Sequence, residues 1–127
     1  MEFLSNKNIF FANDRIISTY PYAYLKIAEG CSRACSFCSI PLFKGSHRSR
    51  PIEDILKEAK ALEGKLKELI LVSQDTSSYG IDLYQKNRFS ELLDRLSDLE
   101  FPWIRVMYYH PQNLTKEILK IMAEKKN

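Results

Sequence analysis

From Tyr22 onward, apolar and polar residues follow two alternating rhythms, with polar tracts between them. "YAYLKIA" carries Tyr24, Leu25 and Ile27 in a short alternating run and predicts a strand over about 23–29, running into Glu29-Gly30. Beyond a polar loop, Ile52, Ile55, Leu56, Ala59 and Leu62 recur at helical spacing and stop near Gly64. Pro51 suits the start of that helix, and Glu53 and Asp54 set negative charge at the positive end of its dipole. "KELILVSQ" is a continuous apolar run and predicts a strand buried on both faces over about 67–73. "NRFSELLDRLSDLE" returns to helical spacing with Phe89, Leu92, Leu93, Leu96 and Leu99. "WIRVMYYH" predicts a strand over about 103–109, and "TKEILKIMAEKK" a helix with Thr115 as N-cap.

Strand followed by helix, three times over, predicts an α/β fold with three parallel β–α units in that order. Right-handed crossovers then set the three helices on one side of the sheet. Residues 1–21 show no clean period and end in "STYPY", which reads as a linker or N-terminal edge segment. Two long polar loops, "GCSRACSFCSIPLFKGSHRSR" and "SQDTSSYGIDLYQKN", leave the C-terminal ends of the first and second strands. That is where open α/β sheets bind their ligands.

Composition narrows the class without changing the fold. The 127 residues are 45% hydrophobic and 28% charged, the balance of an ordinary globular domain. A net charge of +3 is too small to imply a nucleic-acid partner by itself. No apolar run approaches the ~20 residues of a membrane span, and "MEFLSNKNIFFANDR" lacks the pattern of a signal peptide. The expected compartment is the cytoplasm, where clustered thiols favour metal or redox chemistry over disulfides.

All three cysteines lie within eight residues, Cys31, Cys35 and Cys38, spaced C-x-x-x-C-x-x-C. Thiolates suit iron–sulfur clusters, zinc and copper(I). A four-iron cluster takes four cysteines as a rule, so three on one loop would leave one iron open to a small molecule. A structural zinc site needs a fourth ligand, for which only His47 and His110 are available, His47 being near enough in sequence. A redox role without metal is the third alternative.

"CSRACSFC" after a strand and an "EG" pair resembles the cluster motif of the radical S-adenosylmethionine (SAM) superfamily. "YAYLKIAEGCSRACSFCSIP", "KGSHRSRPIEDIL", "KELILVSQDTSSYGIDLY" and "WIRVMYYHP" together resemble the central domain of its methylthiotransferases. The "QDTSSYGIDLY" stretch is most similar to the RimO-type branch, which modifies an aspartate of a small-subunit ribosomal protein. MiaB-type relatives, which modify a transfer-RNA adenosine, carry a "GQNVNAY"-like stretch there and form the alternative, beside a non-catalytic zinc module.

The resemblance implies that Cys31, Cys35 and Cys38 ligate a [4Fe–4S] cluster whose fourth iron binds SAM. An electron, supplied through the cluster by a donor protein, then cleaves SAM to a radical that abstracts hydrogen from an unactivated carbon. Phe37 matches a position that flanks the SAM adenine, the other reading being a core aromatic. Ser73, Gln74 and Asp75 end the second strand where the superfamily contacts the methionine end of SAM, although Asp75 also suits a capping or loop role. Lys44, Arg48 and Arg50 would meet an anionic cofactor or the aspartate substrate, or be plain surface charge. His110 would line the pocket or serve structure.

The family fold is a partial (β/α) barrel of six strands, so residues 22–127 are expected to form a truncated half of it. Members also carry an N-terminal domain with three further cysteines and a C-terminal TRAM domain. No cysteine precedes Cys31, so methylthiolation by these residues alone is not expected. A half-barrel further predicts that apolar positions among Leu25, Ile27, Leu69, Leu71, Ile104, Val106 and Tyr108 lie bare on the side away from the helices. The segment around Ile9–Ile17 or a second copy of the chain would then cover that face or the free third-strand edge.

Overall fold

The structure, a computed structural model, describes residues 21–127. The expected linker, apart from Pro21, and the expected cover around Ile9–Ile17 lie outside the described residues.

Three strands, β1 (Tyr22–Lys26), β4 (Glu68–Val72) and β5 (Trp103–Val106), form a parallel sheet in the order β1-β4-β5. A two-residue pair, β2 (Ala28–Glu29) and β3 (Arg48–Ser49), runs antiparallel beside it. The helices are α1 (Ile40–Lys44), α2 (Ile52–Leu62), α3 (Ile81–Tyr84), α4 (Phe89–Ser97) and α5 (Lys116–Glu124). The α/β class and the three parallel β–α units are therefore as expected. The pattern did not show α1, α3 or the β2–β3 pair, because elements of two to five residues hold little more than one period of a 2- or 3.6-residue repeat, too few to register as periodic.

Register explains the core. Ala23, Leu69 and Ile104 stand side by side across the sheet, as do Leu25, Leu71 and Val106, so all six share one face. Ile52, Ile55, Leu56, Ala59 and Leu62 of α2 and Phe89, Leu92, Leu93 and Leu96 of α4 are buried against that face, joined by Ile118 of α5. The helix starts are as the sequence predicts. Glu53 and Asp54 occupy the first turn of α2, and the Thr115 hydroxyl accepts from the Ile118 N–H at 3.3 Å. Leu99 packs at the margin of the core, just beyond α4.

The opposite face corrects one expectation. Leu25, Ile27, Leu69 and Leu71 are fully buried, because their parity turns them toward the helices. The residues of the other parity are Tyr22, Tyr24, Ile70, Val72, Trp103 and Arg105, with Lys26 and Glu68. Ile70 in the central strand is buried there, while Tyr24 and Trp103 are exposed. Tyr22 packs edge-on to Tyr24 at 5.7 Å, and Arg105 donates to Glu68 at 2.6 Å across the strands. Amphipathic rings and ion pairs, rather than bare leucines, make up this face. The β5 edge is partly met from within the chain, since the Ile104 N–H donates to the Asn127 carbonyl at 2.8 Å.

Candidate functional site

The site lies at the C-terminal edge of the parallel sheet. After β1 the chain turns at Ile27, forms β2, makes an excursion over 30–47 and returns through β3. Pairing Ala28 with Ser49 and Glu29 with Arg48 closes the excursion at its base. All three cysteines ride on it, with free thiols. The Cys31 N–H donates to the Gly45 carbonyl at 3.1 Å, and the Gly30 N–H to Gln74 Oε1 at 2.7 Å. Gly30 has φ +80, and a Cβ there would stand 2.2 Å from the Ser46 carbonyl oxygen. Only glycine allows that approach.

Cys31 is buried at the root of the loop, while Cys35 and Cys38 are half-buried toward its tip. The Arg33 N–H points at Cys31 Sγ at 3.4 Å, the kind of contact that tunes a metal-bound sulfur. Among the described residues no three His, Cys, Asp or Glu side chains gather at the spacing that holds a single metal ion. A cubane shares its protein ligands over three irons, so its thiolates need not converge on one point as tetrahedral zinc ligands must. Three soft thiols on one clasped loop fit a four-iron cluster with one iron left unligated by protein.

His47 turns out to serve the clasp. Ser49 Oγ donates its single proton to Asp82 Oδ1 at 2.6 Å, so His47 Nε2, 3.2 Å away, is the donor of its own contact with that oxygen. Its Nδ1 is buried without a hydrogen-bond partner among the described residues. The His47 N–H donates to Ser32 Oγ at 3.0 Å, a further tie across the base of the loop.

The loop after β4 is denser. Ser73 Oγ meets Thr76 Oγ1 at 3.2 Å, both residues being buried. Asp75, 3% exposed, accepts from Arg33 Nε at 2.7 Å and from the Ser77 and Ser78 hydroxyls at 2.6 Å each. Burial pushes its carboxyl up, yet the hydrogen bonds from Ser77, Ser78 and Arg33, with the Arg33 charge, outweigh burial and hold it below the usual range. Glu29 repeats the pattern: burial raises its carboxyl, and the ammonium groups of Lys26 at 2.6 Å and Lys44 at 3.2 Å bring it down.

Phe37, between Cys35 and Cys38, is 92% exposed, which sets aside its reading as a core aromatic. Leu42 and Phe43 of α1 are exposed as well. Gln74 spends its carbonyl on Gly30. Arg50 is corrected from solvated surface charge: it is buried, donating to the Lys26 carbonyl at 2.8 Å and to Glu58 at 2.6 Å. Lys44 is engaged with Glu29, while Arg48 stands in the clasp opposite that same residue. His110 Nδ1 accepts from the Gln112 N–H at 3.4 Å above the turn Pro111–Asn113.

Two contributors escaped sequence reasoning. Tyr79 is fully buried, its hydroxyl donating to the Arg50 carbonyl at 2.5 Å, and burial raises its pKa far above that of free tyrosine. Arg33, placed between two cysteines, had no apparent partner in sequence, since Asp75 lies 42 residues away.

Comparison with known proteins agrees with this geometry. The profile of the radical SAM superfamily matches residues 25–127. A Thermotoga petrophila protein named ribosomal protein uS12 methylthiotransferase RimO is 63% identical over 108 residues, which is 82% of this chain and 25% of that protein. Proteins of the same name from Clostridioides difficile and Cytophaga hutchinsonii are 48% and 49% identical, over 100% and 90% of this chain and 28% and 27% of their own lengths. The chain thus spans about a quarter of the length of the curated relatives it matches. Superfamily members use SAM and a [4Fe–4S] cluster, and the clasped thiol loop at the head of β1 is the feature that such chemistry requires. On its sequence match and on this loop, the chain belongs to the radical SAM superfamily.

Proposed function

We propose that residues 22–127 form the SAM-cleaving part of a RimO-type methylthiotransferase, half of a partial (β/α) barrel, acting on an aspartate of ribosomal protein uS12. The observation that carries this is the placement of all three thiols on one clasped loop, against the "QDTSSYG" loop, in a chain 48–63% identical to proteins of that name. Its setting would be the reducing cytoplasm, with a protein electron donor.

Cys31, Cys35 and Cys38 would each ligate one iron, and the fourth iron would be the docking point for SAM. When bound, the cluster and SAM supply one-electron cleavage of the sulfonium, and hence hydrogen abstraction from an unactivated carbon. The protein's own work is placement. Burial of Cys31 shields one ligand from water. The exposed ring of Phe37 offers a face to the adenine. Ser73 and Gln74 would line the wall beside the methionine end, with Asp75 behind them, its carboxylate held by Arg33, Ser77 and Ser78. Gln74 accepts from Gly30 through its carbonyl, which leaves its amide NH₂ to orient a carboxylate.

Anaerobic reconstitution of the chain with iron and sulfide tests the reading. About four irons per chain are expected, with Cys31→Ala, Cys35→Ala and Cys38→Ala each losing the cluster while the helices stay folded. Stoichiometric, slowly exchanging zinc, or full iron content in Cys35→Ala, would overturn it.

A further inference from the structure

The thiol loop is tied down at its base, through Gly30, Cys31, Ser32 and the β2–β3 pair. Farther out the ties are sparse. Among the described residues from Arg33 to Phe43, only Arg33 makes a hydrogen bond or ion pair outside the loop. The bonds of Cys38 to Cys35 and of Leu42 to Ser39 are local. The outer part of the loop, with two of its three thiols, therefore has one side chain as its polar tie to the rest of the described residues.

That side chain enters a saturated network. Arg33 Nε donates to Asp75 Oδ2 at 2.7 Å and Nη2 to Ser77 Oγ at 3.1 Å. Ser77 Oγ donates its only proton to Asp75 Oδ1 at 2.6 Å and accepts a second bond from Asn113 Nδ2 at 3.1 Å. One donor and two acceptor sites are the whole capacity of a hydroxyl, and all three are used. Ser77 is fully buried, and its carbonyl accepts from Asn87 at 2.6 Å and from Asn113 at 3.2 Å. Asn113 belongs to the loop after β5, so all three strand-end loops meet at Ser77. Ser78 adds a third bond to Asp75, whose carboxylate is thereby filled from inside the protein and turned away from solvent.

We propose that Arg33 and Asp75 are a positioning pair, a clamp that locks the thiol loop onto the loops after β4 and β5 and so sets where the cluster stands relative to the SAM-binding wall. The proposal rests on the cluster reading above. It gives Asp75 a role exerted through Arg33, with no contact of its own to the cofactor. A paired, hydrogen-bonded charge of this kind contributes orientation more than net stability. A loop released from it keeps its three thiols, and so keeps its iron, but loses their placement.

The 127-residue chain carries the test in two arms, with Arg33→Ala, Asp75→Asn, the double variant and Arg33→Lys. In the metal-free chain, exchange of the bonded loop amides, at position 33 and at Cys38, is expected to rise at least tenfold in either single variant and no further in the double. Amides of α2 and α4 should stay at wild-type rates. Exchange within twofold of wild type in either single variant, or multiplying effects in the double, overturns the clamp.

In the reconstituted chain, iron content should stay at the wild-type value. The SAM concentration that shifts the electron paramagnetic resonance spectrum of the reduced cluster should rise at least tenfold, with partial recovery in Arg33→Lys. An unchanged SAM dependence at unchanged iron overturns the positioning role. Failure of the wild-type chain to take up a cluster would sink the proposed function, and the exchange arm would then decide the clamp alone.

Discussion

The loops that follow β1 and β4 leave the same edge of one sheet and are built in opposite ways. The first, over 30–47, holds Phe37, Leu42 and Phe43 exposed and two of its cysteines half-exposed, and is tied chiefly at its root. The second, over 73–80, buries Ser73, Asp75, Thr76, Ser77 and Tyr79, with a hydrogen bond for each of their polar side chains. One loop presents groups and the other supports them. A loop that must accept a cofactor keeps side chains unsatisfied until the cofactor arrives, whereas its neighbour supplies the rigidity that such a loop lacks.

The largest effect is expected where the presenting loop is anchored. Gly30→Ala puts a Cβ 2.2 Å from the Ser46 carbonyl oxygen at φ +80. Backbone strain and overpacking together should cost about 3 kcal/mol, read as a lowered midpoint in urea unfolding. A variant as stable as wild type would show that the root of this loop is not rigid.

Tyr79→Phe comes next, because it removes the hydroxyl that satisfies the Arg50 carbonyl inside the supporting loop. A loss of about 0.5–1.5 kcal/mol follows from removing one buried hydrogen bond. Thermal unfolding of the metal-free chain measures it, and a change under a few tenths of a kcal/mol would make that loop less dependent on its bonds than its density suggests.

Acid should then loosen both loops, through Glu29 at the base of the first and Asp75 within the second. Glu29 and Asp75 are both held below their ordinary values of 4.5 and 3.8. A depressed folded-state pKa gives stability that is fully present above the unfolded value and is lost as pH falls through the folded one. Unfolding free energy of the metal-free chain should therefore hold level above about pH 5 and decline below it. Asp75→Asn should remove part of that decline and leave the part due to Glu29. A decline of wild-type size in Asp75→Asn would contradict the assignment.

The smallest change in stability, within about 0.5 kcal/mol, is expected for Phe37→Ser, since an exposed ring has little packing to lose. Its effect should fall on cofactor binding alone. Affinity for SAM in the reconstituted chain should drop about tenfold or more, in line with the ~1–3 kcal/mol of a base–aromatic contact. Titration calorimetry giving wild-type affinity would leave the exposure of Phe37 without a function.

The two loops also differ in how much of them was legible beforehand. The cysteines of the first were plain, because thiol spacing within one loop is local information and survives any fold. The solvent-facing ring of Phe37 was not, since a phenylalanine beside a cysteine reads equally well as core. In the second loop Ser73, Gln74 and Asp75 stood out by their place at a strand end, but the partners of Asp75 did not. Arg33 is adjacent to it only once β1 and β4 lie side by side. Arg50 was misread for the same reason, its partner Glu58 lying two helical turns onward and the Lys26 carbonyl across the clasp.

Local periodicity in the sequence determined the three strands, the three long helices, the faces that α2 and α4 bury and the loop that carries the thiols. It could do so because side-chain direction in a strand or helix repeats every 2 or 3.6 residues and needs no distant partner. Which face of the sheet the helices cover, which charges are buried, and that the loops after β1, β4 and β5 meet at Ser77 were decided only by the tertiary structure. Those outcomes depend on register between strands more than 30 residues apart, where a slip of one residue would turn every side chain to the other face.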